Sequence, residues 1–202
     1  MSMRSLKSLR WILVGGAVLL SAAAFGSVKM SAQQQLSNVQ AVAAQPAIVQ
    51  VVLNSNITQA NWTKTQITQY GRDWRKQFAA NQGALLDAVK NNPATQVLAQ
   101  TAQGSSGLYN ELEVLNNQGV VVADTIIGKD YRTNSKAMWA KAFAVNGNYV
   151  GTEKTDPQSH QKTISVAVPV LNASQQPVGV LVATFNSAQL PKVEKPKKAK
   201  AA

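Results

Sequence analysis

ELEVLNNQGVVVADT, residues 111–125, is the stretch whose reading decides the fold. Leu112 and Val114 alternate with Glu111 and Glu113, the period of two that marks a strand with one buried face. Asn117-Gln118-Gly119 is a turn, and VVVAD brings the chain back as a second strand. This hairpin predicts the first pair of an antiparallel sheet, with Leu112 and Val114 toward the core and the glutamates toward solvent.

Working outward, the period changes. Pro46 suits the first turn of a helix, and no proline interrupts the chain from there to Asn81. Ile67, Tyr70, Trp74 and Phe78 are spaced by three, four and four, one stripe of an amphipathic helix expected to lie on the sheet. Ile48, Val51 and Val52 lie upstream of that stripe and are expected to stay exposed, as a helix-to-helix contact between two copies. ALLDAVKNN and ATQVLAQTA, on either side of Pro93, read as two short helices. After the hairpin come the loop TIIGKDYRTN and a helix from about Ser135 to Val145. The stripe of that helix is Met138, Trp139, Ala142 and Phe143, whereas Lys141 reads as a solvated residue. Strands are expected at 149–153, 162–170 and 177–185. The fold class is α+β, a long N-terminal helix on roughly five antiparallel strands.

Composition removes several functions. There is no cysteine, so disulfides and thiolate chemistry are absent, and His160 is the one histidine. No base, nucleophile and orienter form a constellation, so neither an enzyme nor a metal or cofactor site is expected. The net charge of +11 divides unevenly: +4 in 1–32, +4 in 191–202 and +3 in the long middle. Because the charge belongs to the ends, a nucleic-acid partner is not expected. MSMRSLKSLR followed by WILVGGAVLL is a basic region and an apolar run. It is either a signal peptide cleaved after Ala22-x-Ala24 or an anchor spanning Trp11 to Val28. Both readings carry the rest of the chain out of the cytoplasm. Residues 33–45 are a flexible, polar, alanine-rich lead-in or the start of a helix, 46–190 are the domain, and 191–202 are a basic tail too polar to bury and expected to be disordered.

From Tyr109 onward the order of pieces is YNELEVLNNQG, VVAD, a loop with DY, a helix with MW and KAF, NYVG, a polar loop with Asp156, ISVAVPV and QPVGVLVATFN. In that order they resemble a Cache (PDC) domain, the extracytoplasmic PAS-like sensor module, of single-Cache type. The resemblance implies a small ligand on the side of the sheet away from the long helix, bounded by the 126–134 loop, the Ser135 helix and the 149–163 strands. It points to Tyr131, Arg132, Trp139, Tyr149 and Asp156. A guanidinium holds a carboxylate in a bidentate pair, so a short carboxylate is the expected ligand. Asp156 stands at the family position that grips a ligand amine. A membrane receptor is a further partner the resemblance suggests. The alternative is a PAS-like interaction module with no ligand.

Overall fold

The computed structural model describes residues 27–131, 136–157 and 159–192. Helices α1 (Leu36–Ala43), α2 (Pro46–Gln59), α3 (Lys64–Ala80), α4 (Ala84–Lys90) and α5 (Pro93–Gln103) precede the hairpin of β1 (Tyr109–Asn116) and β2 (Val121–Asp124). Then follow α6 (Lys136–Ala144), β3 (Tyr149–Val150), β4 (Lys154–Thr155), β5 (Lys162–Leu171) and β6 (Pro177–Asn186). The strands run antiparallel in the order β2-β1-β6-β5-β3, with β4 also on β5. The crossover through α6 carries the chain to the far edge, and the β5–β6 hairpin fills the gap. The fold is α+β, helices on an antiparallel sheet.

Each strand divides its side chains between two apolar layers. On one face Leu112, Val114, Val166, Val168, Leu181 and Phe185 meet Val39 of α1, Ile48 and Val52 of α2 and Leu98 of α5. On the other, Leu115, Val121, Ala167, Val180 and Val182 meet Trp74 of α3, Leu86 and Val89 of α4, Ala142 of α6, and Tyr131 in the loop after β2. Helix α2 packs tightly on the sheet at Gly179, where a Cβ would collide with the Leu115 carbonyl and the Val52 side chain. Glycine is required there by proximity.

Three expectations change. The helix expected from 46 to 81 is two, because the chain turns at 60–63 and Thr63 starts α3. The Thr63 hydroxyl accepts from the Gln66 N–H at 3.2 Å, and the Gln66 side chain accepts from the Thr63 N–H at 2.8 Å. Such a reciprocal cap is legible as T-x-x-Q and contributes about 1 kcal/mol. Consequently α2 covers the sheet, whereas the Ile67–Phe78 stripe packs through Trp74 into the opposite layer. Ile48 and Val52 are fully buried, so the expected dimer contact through them does not exist as a surface. Of the two readings of 33–45, the structure has the helical one, with Val39 and Ala43 buried, and Ala32 is in the same core. The folded unit therefore begins before residue 33. The N-terminal basic and apolar run up to residue 26 and the tail from 193 lie outside the described residues. Among the described residues no single helix is long and apolar enough to cross a membrane.

The hairpin brings a further correction. Glu113 is 2% exposed and Asp124, its cross-strand partner, 3%. Alternation predicted one wet face, but the structure buries both carboxylates. Burial first, then the neighbouring charges of Glu113 and Glu111, push the Asp124 carboxyl up to about 9. A folded-state value above the unfolded 3.8 means that unfolding releases a proton across that window. The contribution is fully present below about pH 4, and stability falls as pH rises toward 9. Asp124→Asn has no proton to release there and should flatten the fall, read from urea midpoints between pH 5 and 9. An unchanged slope would mean that Asp124 is ionised in the folded protein.

Candidate functional site

Where α6 crosses the second face of the sheet it leaves a pocket of about 390 Å³. Its floor is a polar row across three strands: Glu111 of β1 lies opposite Thr184 of β6, which lies opposite Ser165 of β5. The Ser165 and Thr184 hydroxyls are hydrogen-bonded at 2.9 Å, and Thr163 continues the row. Ala137, Met138 and Lys141 of α6 form one wall, and Tyr149, Gly151, Thr152 and Lys154 the other. The Gly151 N–H donates to the Ser165 carbonyl at 2.9 Å, and a Cβ at Gly151 would sit 3.1 Å from that oxygen. The second wall is thereby held close to the floor.

The charged groups give the pocket its chemistry. The Lys141 ammonium donates to the Tyr149 hydroxyl at 3.0 Å and lies 4.4 Å from the centre of that ring. The hydrogen bond from Lys141, with further positive charge from Lys29 and Lys154, holds the Tyr149 phenol below the usual tyrosine range. Burial, with the negative charge of Asp156 added, raises the Glu111 carboxyl. A second, larger groove of about 550 Å³ lies between the α1–α2 corner and the β5–β6 turn. Its walls are apolar side chains and the amides of Gln40, Gln50, Asn172 and Gln175, with no charged group. Nothing in it distinguishes an ionic ligand, so we take the smaller pocket as the candidate site. Among the described residues no group of three His, Cys, Asp or Glu side chains is placed to hold a metal ion.

Of the residues selected from the sequence, Tyr149 lines the pocket. Tyr131 is buried in the second layer, its ring 4.3 Å from that of Tyr70 and 6.0 Å from that of Trp74. Trp139 turns from the pocket toward the hairpin: its indole N–H donates to the Asn116 carbonyl at 2.9 Å and its ring stacks on Phe143. Gly119, at φ +71°, gives that ring room, since a Cβ would stand 3.4 Å from it. Asp156 organises its own turn, accepting from the Ser159 N–H at 2.6 Å and hydroxyl at 2.9 Å. Arg132 lies outside the described residues. The lining residues that the sequence reading passed over are Glu111, Lys141, Lys154, Ser165 and Thr184. Glu111 was visible as the polar face of β1, but the element covering that face was not.

Asn116, buried at the end of β1, was also missed. Its amide donates to the Ser55 hydroxyl and the Gln59 side chain of α2, and its side-chain oxygen accepts from the Gln118 and Val120 N–H groups. Together with the Trp139 bond, it ties the hairpin turn to both α2 and α6.

No family model matches the chain, and no curated protein matches it. Among solved structures the chain is similar to the sensor domain of the Vibrio cholerae histidine kinase DctB, at 12% identity and a TM-score of 0.49 over 86% of this chain and 58% of that one. It is similar to the ligand-binding domain of the Pseudomonas aeruginosa PAO1 amino acid chemoreceptor PctC in complex with GABA, at 12% identity and 0.48 over 86% and 61%. It is also similar to the sensory domain of the Campylobacter jejuni chemoreceptor Tlp3 with isoleucine bound, at 14% and 0.40 over 81% and 64%. The chain thus spans 58–64% of the length of these domains.

Proposed function

We propose that the chain is a Cache-type, PAS-like sensor module that works outside the cytoplasm and binds a small carboxylate under α6, without catalysis. The observation that carries this reading is the pairing of two lysines, Lys141 and Lys154, with a hydroxyl floor in one pocket. The lysines supply positive charge for a carboxylate, and Ser165, Thr184 and Tyr149 supply hydroxyls. The size suits a molecule of a few carbons to a small amino acid, since ligand pockets for drug-sized molecules begin near roughly 300 Å³. Tyr149 is the residue of the original five that we assign to direct contact. Trp139 and Tyr131 support the walls, Asp156 supplies charge to the Glu111 end, and Arg132 joins the proposal through its place in the loop after Tyr131. The extracytoplasmic location rests on the basic and apolar pattern of residues 1–20.

Lys141 is exposed, so Lys141→Ala should change the melting temperature of the ligand-free protein little. Ligand-induced stabilisation grows with the logarithm of ligand over dissociation constant. Losing a hydrogen bond to a charged group removes about 1.5–3 kcal/mol, roughly ten- to a hundredfold in affinity. A thermal-shift series with formate through valerate on both proteins checks this. Equal shifts in wild type and variant would place the carboxylate elsewhere, and no shift with any acid would favour the ligand-free interaction module.

A further inference from the structure

We infer that the groove between the α1–α2 corner and the β5–β6 turn is a second binding site, for a neutral molecule with several hydroxyls, of the size of a mono- or disaccharide. It lies along an edge of the sheet that no strand covers. The Gly151 N–H donates to the Ser165 carbonyl, so Ser165 and the alternate residues Ala167, Pro169 and Leu171 turn their backbone groups toward the β3 side of β5. β3 pairs no further along β5 than Ala167, and β4 pairs only at Lys162 and Thr163. Pro169 and Leu171, which line the groove, therefore present the Pro169 carbonyl and the Leu171 N–H and carbonyl to it. Proline fits at 169 because the N–H it lacks would have pointed out of the sheet.

The polar side chains around this edge are amides: Gln40 and Gln50 on the helices, Asn172 and Gln175 on the turn. The Gln50 Nε2 donates to Asn54 at 2.9 Å and the Gln40 Nε2 to Asn148 at 3.4 Å, which leaves the oxygens of both as acceptors. Asn172 is the reverse. Its oxygen accepts from the Ser174 and Gln176 N–H groups, which leaves its Nδ2 as a donor. Among the described residues no charged side chain lines the groove, so an ion would lose hydration there without a counter-charge. A purely apolar molecule would bury the amides unpaired. An added peptide strand needs a repeating row of donors and acceptors, and Pro169 interrupts that row. A hydroxyl donates and accepts through one oxygen and needs no repeat, so it answers acceptors and donors alike. Pro46, Val49 and Leu171 offer apolar contact to the C–H faces of a sugar ring. The volume of about 550 Å³ is within the roughly 300–1,000 Å³ of small-molecule sites.

The test titrates the full ¹⁵N-labelled chain with glucose, maltose, glucuronate, glucosamine and the neutral peptide N-acetyl-trialanine amide, followed through amide chemical shifts. Glucose or maltose should move Ala44, Gln50, Leu171 and Ala173 and leave Gly151 and Thr184 in place, with neither charged sugar bound tighter. Gln50→Ala, at an exposed helix position, should weaken the neutral sugar roughly three- to tenfold, the loss of one neutral hydrogen bond. Ala173→Phe, which fills the groove from an exposed turn residue, should abolish binding. Should one variant misfold, the other decides. Shifts that persist unchanged in the folded variants overturn the inference. So does tighter binding of glucuronate, glucosamine or the peptide, and so does the absence of any response to glucose and maltose up to their solubility. The carboxylate pocket is read at Gly151 and Thr184, so the two sites stand or fall separately.

Discussion

Val52→Asp will leave the protein unfolded under conditions in which the unaltered chain is folded. Val52 is fully buried in α2, and its side chain packs directly against the backbone of β6 at Gly179. The side chains packed with it there are apolar, among them Ile48, Leu112, Val114 and Leu181. An aspartate there must either bury an unpaired charge or take up a proton, and the cost is several kcal/mol. Domain stabilities are about 5–15 kcal/mol, so the loss is comparable to the whole. Far- and near-ultraviolet circular dichroism at 25 °C will show it. A variant that melts cooperatively within a few degrees of wild type would put Val52 on the surface, as the sequence reading had it.

Trp74→Ala should be the next most damaging change, and it tests the second layer. The Trp74 ring is buried against Tyr131, and its indole N–H donates to the Gly128 carbonyl at 3.0 Å. Truncating a buried tryptophan costs about 3–5 kcal/mol, and the stranded carbonyl adds to it. For a chain of this size that is a fall on the order of 10 °C in melting temperature. The same experiment separates Tyr131 as a packing residue from Tyr131 as a ligand contact. If Trp74→Ala melts like wild type, the loop at 126–131 is not anchored by the layer described, and Tyr131 is free for another role.

Most of the sheet was legible because its strands are long and its turns carry their own chemistry. Asn117-Gln118-Gly119 places Gly119 at positive φ, and β5 and β6 follow the predicted segments to within a residue or two. The helices were less legible. Apolar residues from Ile48 to Phe78 keep helical spacing on both sides of the turn at 60–63, so periodicity alone joined α2 to α3; only the Thr63–Gln66 cap marks the break. Which face each helix covers could not be read locally. Val52 and Trp74 are both apolar residues on a helical stripe, yet they pack on opposite sides of the same sheet. The site suffers from the same limit. Glu111 and Glu113 share one face by alternation, but one lines a pocket and the other is sealed from solvent, a difference set by elements remote in the sequence. Lys141 looks solvated in sequence because it is solvated in the structure; its meaning comes from Tyr149, eight residues on and across a turn.

The carboxylate site under α6 is tested most directly by a titration of the ¹⁵N-labelled protein with butyrate and 4-aminobutyrate, followed through amide chemical shifts. Binding in the pocket will move Gly151, Ser165 and Thr184, which line it, and leave Ala44, Gln50 and Ala173 of the amide-lined groove in place. Shifts concentrated at Ala44, Gln50 and Ala173, with Gly151 and Thr184 unmoved, would contradict it.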